Sequence, residues 1–318
     1  MRVMLKIQRF NPEADVKPHD REYFIEAGKE MTVLSGLMKI KTEVDGSLTF
    51  RASCRMAICG SCNMMINGTQ RLACKTSVRD ELERRGELVI RPMANMRVIK
   101  DLAVDMDPFW GKVRAVTPWV ASDRKENILI TQAEMEAFHN ADGCIMCGAC
   151  LSACMSADVS PGFLGPAALA KAYRFVADPR DETKYERLAS LQHADGIWDC
   201  VRCNFCVEVC PKDVQPMEQI VRLRRHSLEA GFGDSVEARH ITAFVDLVRE
   251  EGRLNEARQP LMMVRSDWRR FLKIIPLGLK MFLHGKIPFP FKKIKGVGQI
   301  RAIFESLSKN AERKEASR

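Results

Sequence analysis

The chain opens on an alternation. In "MRVMLKIQRF" the residues Val3, Leu5 and Ile7 recur at every second position against largely polar neighbours, which predicts a half-buried strand. Over residues 30–41, "EMTVLSGLMKIK", the period changes: Val33, Leu34, Leu37 and Ile40 share one face of a helix. Two turn signals, Asp45-Gly46 and Asn67-Gly68, each lie beside alternating apolar residues, as hairpin turns do. "ELVIRPM" (87–93) is a further apolar run, and the Asp and Pro residues of "DMDPFW" (105–110) mark a domain boundary. Residues 1–104 therefore read as a mixed strand-and-helix domain.

Residues 105–235 read as helical. Thr131 is placed to cap "QAEMEAFHNA", and "GPAALAKAYRFVAD" (165–178) is apolar at helical spacing. Residues 236–318 form a C-terminal extension. From 269 it turns basic and aromatic, and Pro276, Pro288 and Pro290 are expected to interrupt it. No apolar run reaches the roughly 18 residues of a membrane-spanning helix. The start of the chain lacks the apolar block and cleavage site of a signal peptide, so no export address of its own is expected.

Composition adds little until charge is mapped. With 46% hydrophobic and 29% charged residues among 318, the chain is ordinary for a globular protein, not a disordered or membrane-embedded one. The net charge of +9 is placed unevenly: residues 261–318 carry 14 Lys/Arg against 4 Asp/Glu, and residues 1–260 carry 36 against 37. A basic tail on a neutral body argues for a tail that meets something anionic, and against a nucleic-acid binder with a basic surface throughout.

The chemistry lies in the cysteines. Twelve fall into three groups of four, with none left over. Disulfide frameworks belong to short secreted chains, so metal or cluster ligation is the reading to pursue. Cys54, Cys59, Cys62 and Cys74 follow the plant-type [2Fe–2S] spacing, C-x4-C-x2-C with a distant fourth cysteine. Ala57, Gly60 and Ser61 are small enough for backbone N–H groups to approach the sulfurs. Four thiolates also suit zinc, although zinc knuckles prefer two short hooks to three cysteines in one loop.

"CIMCGACLSACM" and "CVRCNFCVEVCP" each carry C-x2-C-x2-C-x3-C, the bacterial ferredoxin run whose fourth cysteine serves the other cluster. That crossing gives Cys144, Cys147, Cys150 and Cys210 one [4Fe–4S] cluster. Cys154, Cys200, Cys203 and Cys206 are left for the second. Three ligands two residues apart suit a cubane corner better than a zinc ion.

Taken with "LTFRASCRMAICGSC", "NGTQRLAC", "LVIRPMANMRVIKDLAVDM" and "GPAALAKAYRFVADPRD", these runs resemble the iron–sulfur subunit of succinate dehydrogenases and fumarate reductases over about residues 1–235. The resemblance implies an α+β chain, with an N-terminal β-grasp [2Fe–2S] ferredoxin-like domain and a C-terminal all-helical two-cluster ferredoxin domain. It further implies electron transfer without bond chemistry on substrate, so no catalytic residue is assigned here. A flavoprotein partner would hold FAD and handle succinate or fumarate, and a membrane anchor would handle quinone. The subunit would be peripheral to the membrane, on the cytoplasmic face, with periplasmic placement open through co-export with a twin-arginine partner.

Two departures from the family's common form refine this. The common third run has three cysteines and a [3Fe–4S] cluster, whereas here Cys203 fills the gap. A second [4Fe–4S] is therefore favoured over [3Fe–4S], the alternative being Cys203 as a bystander thiol. The common form also has a Trp pair after its first run and a His after the first cysteine of its second. Here "MSADVSPG" follows Cys154 and Val201 follows Cys200, so no quinone-site residue carries over. This combination resembles the non-classical branch, whose anchors are cysteine-rich, heterodisulfide-reductase-like proteins and whose acceptor is of menaquinone type.

Rival readings are an iron–sulfur subunit of another flavoprotein coupled to thiols, a cluster-bearing sensor that binds nucleic acid through its tail, and a structural zinc protein. The stretch 268–305 mixes aromatics, aliphatics and lysines and is expected to dock on a partner or a membrane surface, the alternative being a solvated extension. His139, His193, His226, His240 and His284 have no motif around them and are expected to be structural, and Arg55 and Lys75 flank cluster cysteines.

Overall fold

The structure is a computed structural model that describes residues 1–124, 128–264, 267–286 and 293–316. The chain divides into two compact units, Met1–Ala230 and Gly231–Arg318.

The first unit begins with β1 (Arg2–Arg9), whose Val3, Leu5 and Ile7 face inward as the alternation predicts. It pairs antiparallel with β2 (His19–Glu26). Helix α1 (Val33–Lys39) follows, capped by the Thr32 side chain accepting from the Ser35 N–H. A π turn (Ile40–Val44) continues it. The Asn67-Gly68 signal is the hairpin between β3 (Asn63–Ile66) and β4 (Thr69–Leu72). Both turn residues have positive φ, 48° and 78°, as a twist-matched two-residue turn requires. Helix α2 (Val78–Arg85) precedes β5 (Val89–Arg91), which slots between β1 and β3.

The resulting order β2-β1-β5-β3-β4 is a mixed sheet, with β1 and β5 parallel and the other pairs antiparallel. Leu5, Ile7, Leu37, Ile40, Met64, Ile66 and Ile90 form the core between sheet and α1. This is the expected β-grasp arrangement. Asp45-Gly46 is no hairpin: it closes the π turn, where the Asp45 carboxylate accepts hydrogen bonds from Arg21, Tyr23 and Ser47. Its turn chemistry serves a polar network and joins no two strands.

After the short ribbon β6 (Val98–Lys100) and β7 (Ala103–Val104), the regular structure among the described residues is helical. The helices are α3 (Asp107–Ala115), α4 (Gln132–Asp142), α5 (Ala149–Ser152), α6 (Met155–Val159), α7 (Gly165–Val176), α8 (Lys184–Ser190), α9 (Phe205–Glu208) and α10 (Pro216–Glu229). Thr131 caps α4 through a reciprocal bond with Glu134, and α7 is the buried axis on which α3, α4, α5, α8 and α10 pack. Two charged clusters tie the helices and loops. Arg187 is buried against Asp181 and donates to the carbonyls of Val116, Thr117 and Trp119, while Asp178 accepts from Arg174 and Arg180.

The second unit holds α11 (Val236–Glu251), α12 (Arg258–Val264), α13 (Trp268–Leu283) and α14 (Val297–Ala316). Pro276 does not interrupt the chain here: α13 runs straight through it. A proline removes one N–H and leaves one carbonyl, that of Leu272, without its helical donor. On an exposed helix water supplies that bond, so the helix continues. Pro288 and Pro290 lie outside the described residues.

Candidate iron–sulfur sites

The first cysteine loop, residues 54–62, has no regular secondary structure and is shaped by left-handed residues: Arg55, Ala57 and Gly60 have φ of 60°, 57° and 72°. These turn successive N–H groups inward. The amides of Met56, Ile58 and Cys59 point at Cys54 Sγ at 3.4, 3.3 and 3.2 Å. The Ala57 amide donates to Cys74 Sγ at 3.2 Å and the Ser61 hydroxyl to Cys59 Sγ at 3.2 Å. Cys62 enters β3 and Cys74 follows β4, so the hairpin carries the fourth thiol back to the loop.

Hydrogen bonds to sulfur stabilise thiolates. That from Ser61 pulls the Cys59 thiol down to about 6, while burial pushes Cys62 up to about 12. A ring of amides around four converging sulfurs fits a [2Fe–2S] cluster, whose potential depends on such bonds. Arg55 and Lys75 stand exposed at the rim.

The two later runs share one backbone. In the first, Met146 and Gly148 flank Cys147 with φ of 54° and 78°, and α5 begins at once and carries Cys150. In the second, Arg202 and Asn204 flank Cys203 with φ of 56° and 72°, and α9 begins at once and carries Cys206. Cys203 thus occupies the backbone position that Cys147 occupies in the first run.

A cavity is lined by the four cysteines Cys144, Cys147, Cys150 and Cys210, with small or apolar neighbours including Gly148, Ala149, Ala167 and Pro211. Burial pushes the Cys147 thiol up to about 11 and Cys150 well above its ordinary value. Cys206 is pushed up to about 12, first by burial and then by the nearby thiols of Cys200, Cys154 and Cys203. Cys150 lies within electrostatic reach of Cys206 as well as of its own group, so the two sets adjoin. Buried thiols that resist ionising alone suit a cationic iron core, which supplies the charge that deprotonates them. None of the twelve forms a disulfide.

Three polar residues that carry no sequence motif position these loops. Asn95 Nδ2 donates to the carbonyls of Leu151 and Cys154 at 3.0 and 2.9 Å. Asn63 Nδ2 donates to the Cys147 carbonyl at 3.3 Å. Arg224, buried on α10, donates to the carbonyls of Ile197, Trp198 and Cys200 at 2.9, 2.9 and 2.7 Å, fixing the entry to the third run. Gly60 completes the contact between the first two loops, since a Cβ there would lie 2.6 Å from Cys147 Cβ.

Comparison with known proteins agrees with this geometry. Residues 4–111 match a 2Fe-2S iron-sulfur cluster binding domain, and residues 140–214 match a 4Fe-4S dicluster domain. All twelve cysteines fall inside these ranges, which selects iron–sulfur chemistry over zinc. The fumarate reductase iron-sulfur subunit of Escherichia coli O6:H1 is 39% identical over 221 residues, spanning 68% of this chain and 89% of that protein. The corresponding subunit of Mycobacterium tuberculosis is 40% identical over 228 residues, spanning 70% and 92%. A chain of the Mycobacterium smegmatis Sdh1 complex in the apo form shares the fold at TM-score 0.66 and 20% identity, over 73% of this chain and 97% of that one.

Proposed function

This chain belongs to the fumarate reductase iron–sulfur subunit family, and from that premise we propose how its twelve cysteines are used and what they connect. It is an electron-transfer subunit of an oxidoreductase. Cys54, Cys59, Cys62 and Cys74 hold a [2Fe–2S] cluster, and Cys144, Cys147, Cys150 and Cys210 hold a [4Fe–4S]. Cys154, Cys200, Cys203 and Cys206 hold a second [4Fe–4S]. Bound, the clusters supply one-electron carriage. The chain's own residues hold them at fixed separation, exclude water and set the charge around each. The observation that carries the Cys203 assignment is the shared left-handed backbone on either side of Cys147 and Cys203.

The partners follow from the family and from this chain's departures. A flavoprotein bearing FAD, where succinate or fumarate reacts, meets the [2Fe–2S] end. The far end, without Trp after Cys154 or His after Cys200, faces a cysteine-rich, heterodisulfide-reductase-like anchor and a menaquinone-type quinone. The subunit is peripheral, on the cytoplasmic face. Among the described residues no helix is long and apolar enough to cross a membrane.

Low-temperature EPR on the anaerobically purified complex tests both parts. The oxidised sample is expected to lack a [3Fe–4S] signal, succinate is expected to reduce a cluster, and Cys203→Ser is expected to bring the [3Fe–4S] signal in. A full-occupancy [3Fe–4S] signal in the unmodified protein would remove Cys203 from the ligand set. Centres untouched by succinate in a sample with intact flavin would replace the succinate/fumarate assignment with a flavoprotein coupled to thiols.

A further inference from the structure

Helix α13 buries none of its residues. Trp268, Leu272, Ile275, Leu279 and Leu283 recur at helical spacing along one side, each exposed, from 46% at Ile275 to 72% at Leu283. Arg269, Lys273 and Lys280 recur on an adjacent side, and Arg270 adds a fourth cation. From Trp268 to Leu283 there is no acidic residue; Asp267, the N-cap, already pairs with Arg270 at 3.2 Å. The apolar side is continuous over the helix, a length of about 24 Å at 1.5 Å per residue, and no polar side chain breaks it.

We propose that α13 lies in the headgroup region of a bilayer containing anionic lipid, its Trp268–Leu283 stripe in the acyl boundary and its Arg/Lys side toward the phosphates. A helix with a wide aliphatic and aromatic face, an all-cationic flank and too little length to span is built for the interface plane. The flank is complementary to an anionic leaflet, and every charge on the helix contributes in the same sense. A groove in a protein is engaged by a few anchors at i, i+3, i+4 and i+7. Here the apolar side runs unbroken for 16 residues. The inference rests on α13 alone and is independent of the cluster assignments.

The test is co-sedimentation of the cluster-loaded full chain with vesicles of phosphatidylcholine, with and without phosphatidylglycerol. The protein is expected to pellet with phosphatidylglycerol vesicles and to bind at least about tenfold more weakly to phosphatidylcholine alone, as anionic attraction adds to apolar burial. Leu272→Glu with Leu279→Glu should lower the affinity by about tenfold or more while leaving visible absorption and the EPR of the chemically reduced clusters unchanged. Arg269→Glu with Lys273→Glu should abolish the preference for phosphatidylglycerol. Failure of the unmodified protein to pellet overturns the proposal, as does equal pelleting of the Leu→Glu pair. Attachment to vesicles only when a partner subunit is present overturns it in favour of a protein dock.

Discussion

Replacing Gly60 by alanine measures how closely the first cysteine loop sits on the second. The added methyl falls 2.6 Å from Cys147 Cβ, 2.9 Å from Cys147 Cα and 3.2 Å from the Ile145 carbonyl oxygen. Carbon pairs rest about 3.5–4.0 Å apart, so the loops must part by about 1 Å. Nothing can swing aside, because two of these atoms are backbone and the third is a Cβ fixed to it. Overpacking of this kind costs about 1–3 kcal/mol. The φ of +72° adds about 1–2 kcal/mol for a residue with a Cβ.

Gly86 separates the two contributions, since it has φ +73° and nothing within 4 Å. Gly86→Ala should show the backbone strain alone. In a unit of this size each kcal/mol moves a thermal midpoint by about 2–4 °C. Anaerobic thermal bleaching of the visible absorption should therefore fall about 2–12 °C further in Gly60→Ala than in Gly86→Ala. Equal shifts in the two variants would refute the packing argument and leave only the left-handed strain.

Arg224 places a buried cation beside the third run, donating to the backbone carbonyls of Ile197, Trp198 and Cys200. Arg224→Gln should lower the reduction potential of the third cluster by on the order of tens of millivolts, because a nearby positive charge favours the reduced form. Arg224→Lys should restore most of it, and a redox titration followed by EPR reads both; equal potentials in the Gln and Lys variants would make the role purely structural. The Asp178 carboxyl is pushed up by burial, but hydrogen bonds from Arg180 and Arg174 outweigh this and hold it well below the usual carboxylate range. A depressed carboxylate contributes stability above its unfolded pKa of about 4 and loses it as pH falls toward the folded value. Stability, read from unfolding followed by circular dichroism, should fall as pH drops below about 4, with a shallower slope in Asp178→Asn; identical slopes would assign the acid sensitivity elsewhere.

The elements readable in advance were those written in local patterns. The Val3/Leu5/Ile7 alternation, the Val33–Ile40 face, the Asn67-Gly68 turn and the Thr131 cap each depend on residues close in sequence, and all stand in the structure. The proposed grouping of thiols rests on the same kind of local signal, cysteine spacing. Long-range choices were not readable. Asp45-Gly46 has the hairpin dipeptide, yet its carboxylate is claimed by Arg21 and Tyr23 from a distant strand. Arg222, Arg224 and Arg225 look alike on paper. Only packing sends Arg222 to the Ala137 carbonyl, Arg224 under the third run and Arg225 toward Glu229. Asn95 gave no warning at all, because a lone asparagine in a turn is usually only a turn. Pro276 misled in the opposite direction, since its cost falls where water meets the exposed helix.

The crossed pairing of the two ferredoxin runs bears on the order of assembly. On the proposed ligand sets, Cys144, Cys147 and Cys150 wait for Cys210, and Cys154 waits for Cys200, Cys203 and Cys206. A ribosome that has not yet passed residue 206 has made neither complete cubane site, and the first of them still lacks Cys210. The stretch between the runs, including the buried axis α7 and the Arg187–Asp181 pair, is therefore synthesised before either iron cage can close. Neither cage can be loaded before Cys206 is made, and the first only once Cys210 follows. A chain cut short before Cys206 would forfeit both [4Fe–4S] centres while keeping every ligand of the [2Fe–2S].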